Sequence, residues 1–249
     1  MSGRILLEIC IASVEDAVAA ESGGADRLEL NCALDLGGLT PSLGLFAEVR
    51  RTVSLPIIAM VRPRQGGFCY SSTEFDVMRR DAETLLAAGA NGLAFGILTP
   101  GGEIDIERNQ RIRELCGERE AVFHRAFDWT LDPFQVLGTL MAMNFKRVMT
   151  SGQEAKASEG IPLIADLRVL AAERIEILPA AGINSSNAGE ILTRSGCNQL
   201  HASLSVCRKD AAVLNDRNAR FHSNAPIPEK VYRQTDRQAV AQLRTLLDG

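Results

Sequence analysis

The sequence predicts an α/β fold, a single-domain (β/α)8 TIM barrel with a C-terminal extension. Three observations point there. Eight short apolar runs recur along the chain, and most are followed by an amphipathic helical stretch. Helix start and stop signals punctuate the repeat. No Gly-x-Gly-x-x-Gly turn and no Walker-type loop occurs, so an open nucleotide-binding sheet loses its main support and no nucleotide cofactor is expected. The length of 249 residues is ordinary for such a barrel. The barrel is expected over about residues 4–205, and a C-terminal loop and helix over about 206–249.

The expected strands are Ile5–Ile9, Arg27–Leu30, Ile57–Val61, Gly92–Ile97, Ala121–His124, Arg147–Met149, Ile175–Pro179 and Gln199–His201. Alternation with helices implies parallel strands joined by right-handed crossovers. Ser13 heads the first helix as a cap. Thr40-Pro41 and Asp132-Pro133 each place a capping oxygen before a proline at the first helical position. Ser71 or Ser72 caps the helix of Phe75, Met78, Leu85 and Leu86. Gly23-Gly24 and Gly89 end helices ahead of strands, where glycine takes a left-handed conformation without steric cost. Near the end, 215–228 reads as a loop and 236–247 as a helix with Val240, Leu243, Leu246 and Leu247 on one face.

Charge and composition bound the function. There are 27 Lys and Arg against 31 Asp and Glu, a net charge of −4. That argues against nucleic acid and acidic membrane as partners, since both call for a basic face. No apolar run reaches the roughly 18–20 residues of a membrane span. The six cysteines form no Cys-x-x-Cys pair, which suggests reduced thiols. The first residues carry an acid where a signal peptide needs its apolar stretch, so a cytoplasmic protein is expected.

In barrels of this class the site lies at the C-terminal ends of the strands. There the first strand carries Glu8 with Cys10 on one side, and the second carries Glu29 with Asn31. The third ends in Arg62-Pro63-Arg64 and the fifth in His124-Arg125-Ala-Phe-Asp128. Glu8, Glu29, Arg62, His124, Arg125 and Asp128 are therefore the candidate catalytic set. Arginine suits it because its planar fork pairs two ways with a carboxylate or phosphate, and histidine because it serves as acid, base or metal ligand. Arg64, Gly182, Asn184, His201 and Ser203 are the candidate anion-binding residues, since barrels often hold phosphate on the loops after strands seven and eight. Glycine-rich loops at 37–38, 66–67 and 101–102 lie on the same face, as do Phe127 and Trp129. From spacing alone the cysteines read as small apolar residues.

The motifs Leu7-Glu8-Ile9-Cys10, Gly24-Ala-Asp-Arg-Leu-Glu-Leu30, Gly37-Gly38-Leu-Thr-Pro-Ser42, Val61-Arg-Pro-Arg64, Phe123-His-Arg-Ala-Phe-Asp128 and His201-Ala-Ser203 resemble the CutC family, known as copper homeostasis proteins. The resemblance runs in order from the first strand to the last. It implies a (β/α)8 barrel, a cytoplasmic location, self-association into a homo-oligomer (a dimer or tetramer), and Cu(I) binding by cysteines, here Cys10 and Cys32. The sequence departs from the pattern twice. The family commonly has cysteine directly after the Glu-Leu of strand two, where this chain has Asn31 and places Cys32 one residue later. A one-residue shift on a strand reverses the face presented. Gln199 stands where family members tend to be acidic. Copper handling, an enzyme acting on a small anionic or phosphorylated metabolite, and a purely structural role stay open on the sequence.

Overall fold

Short β-branched and leucine-rich runs alternate with capped helices along the chain, and each run becomes a strand of one parallel sheet. The computed structural model describes residues 4–212 and 230–249; the loop expected at 215–228 lies outside them. The strands are β1 (Leu6–Ile11), β2 (Arg27–Leu30), β3 (Ile57–Met60), β4 (Gly92–Phe95), β5 (Glu120–Phe123), β6 (Arg147–Thr150), β7 (Glu176–Pro179) and β8 (Gln199–Ala202). They pair in the order β7-β6-β5-β4-β3-β2-β1-β8, and β7 lies beside β8 to round the sheet into a barrel. At that seam side chains form the bridge, with Gln199 Nε2 donating to Glu176 Oε2 at 3.2 Å.

Helices α1 (Val14–Ser22), α2 (Leu43–Thr52), α3 (Ser72–Ala87), α4 (Ile106–Cys116), α5 (Pro133–Ala142), α6 (Ile161–Ala171) and α7 (Ala188–Ser195) follow successive strands. Most expected caps are in place. Ser13 accepts from the Asp16 amide, Ser71 forms a reciprocal capping box with Glu74, and Asp132 accepts from two amides ahead of Pro133. Thr40 is a correction. The cap of α2 is Ser42, which accepts from the Leu45 amide. The Thr40 hydroxyl is instead engaged with the main chain of Arg62, both as donor and as acceptor.

After β8 the chain forms an antiparallel hairpin of β9 (Ser205–Lys209) and β10 (Val231–Thr235), then α8 (Arg237–Asp248). Asp16 ties the hairpin down by accepting from the Thr235 amide at 2.7 Å. Helix α8 packs beside α1, with Val240 and Leu243 fully buried. Arg244 reaches the Ile5 carbonyl and Asp26. The residues after Ser205 thus supply the helix that follows β8.

The core has two layers because side chains alternate along each strand. Leu7, Ile9, Ile11, Leu28 and Leu30 face the helices in one continuous apolar cluster. Facing the barrel axis, Ile58, Met60, Ala94 and Val122 fill one side, and Met149, Leu178 and Ala180 another. The inward positions of β1, β2 and β8 are polar: Glu8, Cys10, Arg27, Glu29, Gln199 and His201. No helix among the described residues is long and apolar enough to cross a membrane.

Candidate functional site at the barrel mouth

A cavity of about 480 Å³ opens at the C-terminal ends of the strands. That volume falls in the range of small-molecule sites. Cys10, Glu29, Asn31, His201 and Ser203 form one wall, and Met60, Met149, Phe68, Arg62 and His124 another. Arg125, Asp35, Ser205 and Arg233 also line it.

The polar wall rests on a buried ion network. Register places Glu8 opposite Arg27 on β2 and opposite His201 on β8. Arg27 pairs with Glu8 through Nε and donates from Nη2 to Gln199 Oε1 at 3.0 Å. Arg147 pairs with Glu120 at 2.8 Å and with Glu176 at 2.7 Å, and also donates to Gln199. Burying one charge alone would be costly, and here each has a partner of opposite sign. Burial pulls the Glu8 carboxyl up, but Arg27, His201 and Arg147 together outweigh it and hold Glu8 ionised, far below the usual carboxylate range.

Glu8 in turn orients the next residue. Its Oε1 lies 2.8 Å from His201 Nδ1, which leaves His201 Nε2 facing Glu29 Oε2 at 3.8 Å. His201 is pushed above its ordinary range: burial opposes its charge, but Glu29 and Glu8 on either side outweigh that. Glu29 is raised by burial and by the Glu8 charge, with His201 opposing. Burial, with Glu29 and Glu8 nearby, pushes the Cys10 thiol well above its usual range. One ligand atom each from Cys10, Glu29 and His201 falls within 4.8 Å of the others. Asn31 Nδ2 completes the wall, donating to Glu29 Oε2 at 2.9 Å and to Cys10 Sγ at 3.4 Å.

The opposite wall is built on Arg62 and His124. Arg62 donates to the carbonyls of Leu36, Gly38 and Gly66 at 2.8–3.0 Å and lies over the Phe68 ring. The two glycines of the 37–38 turn have φ of +86° and +82°. A Cβ on Gly37 would stand 3.0 Å from Arg62 Nη1, and one on Gly38 would stand 2.4 Å from Asn31 Oδ1. The glycines are there because the turn must be left-handed and must lie against these two side chains. The His124 ring packs on Phe68 with centroids 5.0 Å apart. Its Nδ1 accepts from the Ala126 amide at 3.2 Å. Burial, then the Arg62 charge, pulls its pKa down to about 3. His124 is thus a neutral imidazole with its proton on Nε2.

The remaining candidates have other roles in the geometry. Asp128 accepts from Arg125 Nε, from the hydroxyls of Thr150 and Ser151, and from the Ser151 and Gln153 amides. It does not line the cavity but holds Arg125 and the loop after β6. Arg64 pairs with Glu74 and the carbonyls of its own loop. Gly182 and Asn184 form a self-contained turn in which Asn184 Oδ1 accepts from Ser186 and Asn184 Nδ2 donates to Gly182 O. Neither lines the cavity. Cys32 also lies outside its lining, its thiol donating to the Thr40 carbonyl at 3.1 Å. Phe127 is fully buried and Trp129 is mostly exposed.

Sequence reading did not pick out Arg27, Arg147, Glu120 and Glu176 as the support of the site, although alternation on β2, β5, β6 and β7 places all four inward. Nor did it find Asp35 and Arg233, which face each other at 3.5 Å across the rim, because the hairpin carrying Arg233 has no local signature.

Fold and site together define a (β/α)8 barrel protein with a thiol–imidazole–carboxylate cluster at its mouth. Residues 5–206 match the CutC family, and the chain belongs to it. A CutC family protein of Treponema denticola is 48% identical over 198 residues, 80% of each chain. The human copper homeostasis protein cutC homolog is 40% identical over 241 residues, 97% of this chain and 87% of that protein. The crystal structure of CutC from Streptococcus agalactiae superposes with a TM-score of 0.77 at 30% identity, covering 80% of this chain and 98% of that one. Thiamine phosphate pyrophosphorylase from Pyrococcus furiosus, 13% identical over 98% of this chain and 96% of its own with a TM-score of 0.58, shares the fold alone.

Proposed function

We propose that this CutC-family protein handles copper in the cytoplasm, taking Cu(I) as cargo on Cys10, with His201 and Glu29 beside it. The observation that carries this reading is the convergence of those three ligand atoms within 4.8 Å. The donor chemistry fits, because thiolate is soft and imidazole suits copper. The Glu8–His201 contact has the form of a carboxylate orienting a metal-ligating imidazole. The Cys10 proton leaves as the ion arrives, so capture is coupled to deprotonation. The described cysteines are all free, as in a reducing compartment. Self-association follows from the family resemblance. The test is an anaerobic Cu(I) titration against a chelator with the protein and with Cys10→Ser. One tightly held ion per chain, lost in the variant, is the expected result; uptake indifferent to Cys10 overturns it.

A second reading has the same mouth accept a small anionic metabolite. It is favoured by Arg62, a buried cation paired with carbonyls and with no carboxylate among the described residues. Arg27, Arg147 and Arg244 all have carboxylate partners.

A further inference from the structure

We propose that the wall formed by Arg62 and His124 binds a small organic carboxylate that also carries a hydroxyl or amino group, with His124 acting as a hydrogen-bond donor to the ligand. This rests on the second reading above and narrows it. It shares Glu29 with the copper reading and is tested without copper.

Four buried polar atoms on residues that line this cavity have no hydrogen-bond partner among the described residues: Arg62 Nε, His124 Nε2, Asn31 Oδ1 and Glu29 Oε1. Unpaired buried polar groups are uncommon in folded proteins. Two of the four donate and two accept. Their residues all line the cavity, and all four are at least nine-tenths buried. A ligand that satisfies them brings oxygen acceptors to the first pair and a donor to the second.

The charge selects the anion. Arg62 contributes one positive charge with no carboxylate to balance it among the described residues, and Phe68 lies against both Arg62 and His124. A carboxylate supplies one negative charge and oxygens for both unpaired N–H groups. A phosphate fits less well. It brings up to two negative charges towards Glu29 and calls for more donors than the wall offers. The amides of Gly37 and Gly38 do not cradle a phosphate, because they already donate to the Leu34 and Ala33 carbonyls. The phosphate-type turn of Gly182 and Asn184 lies outside the lining.

His124 cannot serve here as a general base at neutral pH, because its only free ring atom is the protonated Nε2. It donates instead, as a neutral imidazole that stabilises negative charge on a ligand oxygen without itself changing protonation.

The test uses the full chain labelled with 15N in its histidines and backbone, followed by NMR. The probes are glycolate, which pairs a carboxylate with a hydroxyl, glycolamide, its neutral counterpart, and inorganic phosphate. Each is raised to about 50 mM, well above the roughly 1 mM dissociation constant that a few hydrogen bonds provide. Expected is a saturable downfield shift of the His124 Nε2–H signal with glycolate and none with glycolamide. Arg62→Gln weakens glycolate at least tenfold. In case that variant fails to fold, His124→Gln, followed at the Ala126 amide, does the same. Phosphate binding without glycolate binding overturns the carboxylate assignment and leaves the anion reading standing. No saturable shift with either anion overturns both. Equal shifts with glycolate and glycolamide overturn the role of charge, and with it the proposal.

Discussion

Glu8 Oε1 and His201 Nδ1 stand 2.8 Å apart behind the His201 wall of the cavity, joining the buried ion network to the ligand cluster. The same carboxylate neutralises Arg27 from its other oxygen. Glu8→Gln removes the charge on which both contacts depend. Losing one member of a buried pair costs about 3–5 kcal/mol, so the urea midpoint is expected to fall by that equivalent. Loss of such an outer-shell carboxylate typically weakens metal binding about 10- to 100-fold, and chelator competition on the folded variant is expected to show it. Unchanged copper affinity would leave Glu8 a purely structural anion.

His124 gives a pH prediction with a definite sign. Its folded pKa is about 3, below the ordinary value of 6.5. Between those values the unfolded chain holds the proton and the folded chain does not. Stability from this group is therefore complete above pH 6.5 and is lost as pH falls towards 3, at about 1.4 kcal/mol per pH unit. Urea unfolding at pH 7, 6, 5 and 4, with His124→Gln as reference, isolates the term. The difference between the two proteins is expected to shrink steadily with acid; a constant difference would mean that His124 is not held neutral by burial.

Much of the fold was legible because it depends on local patterns. Arg27–Leu30 is read from four residues, and the Ser13, Ser71 and Asp132 caps from single oxygens next to helical runs. What failed was non-local. Thr40 looked like a cap because Pro41 follows it, but its hydroxyl is claimed by the Arg62 backbone at the end of the neighbouring strand. The β9–β10 pair brings Ser205 to Thr235, which are far apart in the sequence, with no local sequence pattern to announce it. The site was half legible for the same reason. Alternation places Glu8, Cys10, Glu29 and His201 inward, but only the registers of β1 with β2 and with β8 show that Glu8 neutralises Arg27 and carries His201. Asp128 and Arg64 sat in conspicuous motifs, and no sequence signal distinguishes a charge facing a cavity from one that holds a loop.

Asp128 separates loop-holding from ligand contact. It receives five side-chain or backbone partners around Arg125 and the loop after β6. In Asp128→Asn one acceptor oxygen becomes a donor, and a charge-assisted bond to Arg125 is lost, together worth about 2–3 kcal/mol. Thermal or urea unfolding is expected to register that loss while the Cu(I) affinity of the folded fraction stays within about threefold of the original, a difference under about 0.7 kcal/mol. A collapse of copper binding with unchanged stability would instead place Asp128 at the ligand.

Asn31 decides how strong a copper site this barrel offers. Its side chain points at the cavity and lies 3.4 Å from Cys10 Sγ, whereas the next residue, Cys32, turns its thiol to the Thr40 carbonyl. The position that shares a wall with Cys10 is therefore 31. Asn31→Cys places a second thiol beside the first, and two thiolates suit Cu(I) better than one thiolate with an imidazole and a carboxylate. The expected result is a gain of at least tenfold in Cu(I) affinity, about 1.4 kcal/mol, by anaerobic chelator competition. Cys32→Ser is expected to leave the affinity unchanged. The substitution at 31 also removes the amide that donates to Glu29, so part of the gain is offset by a carboxylate that becomes harder to ionise. The test of the geometry is therefore the contrast between the two variants. If Cys32→Ser weakens copper and Asn31→Cys does not strengthen it, the ion is held on the Thr40 side of β2 and the inward cluster is not the site.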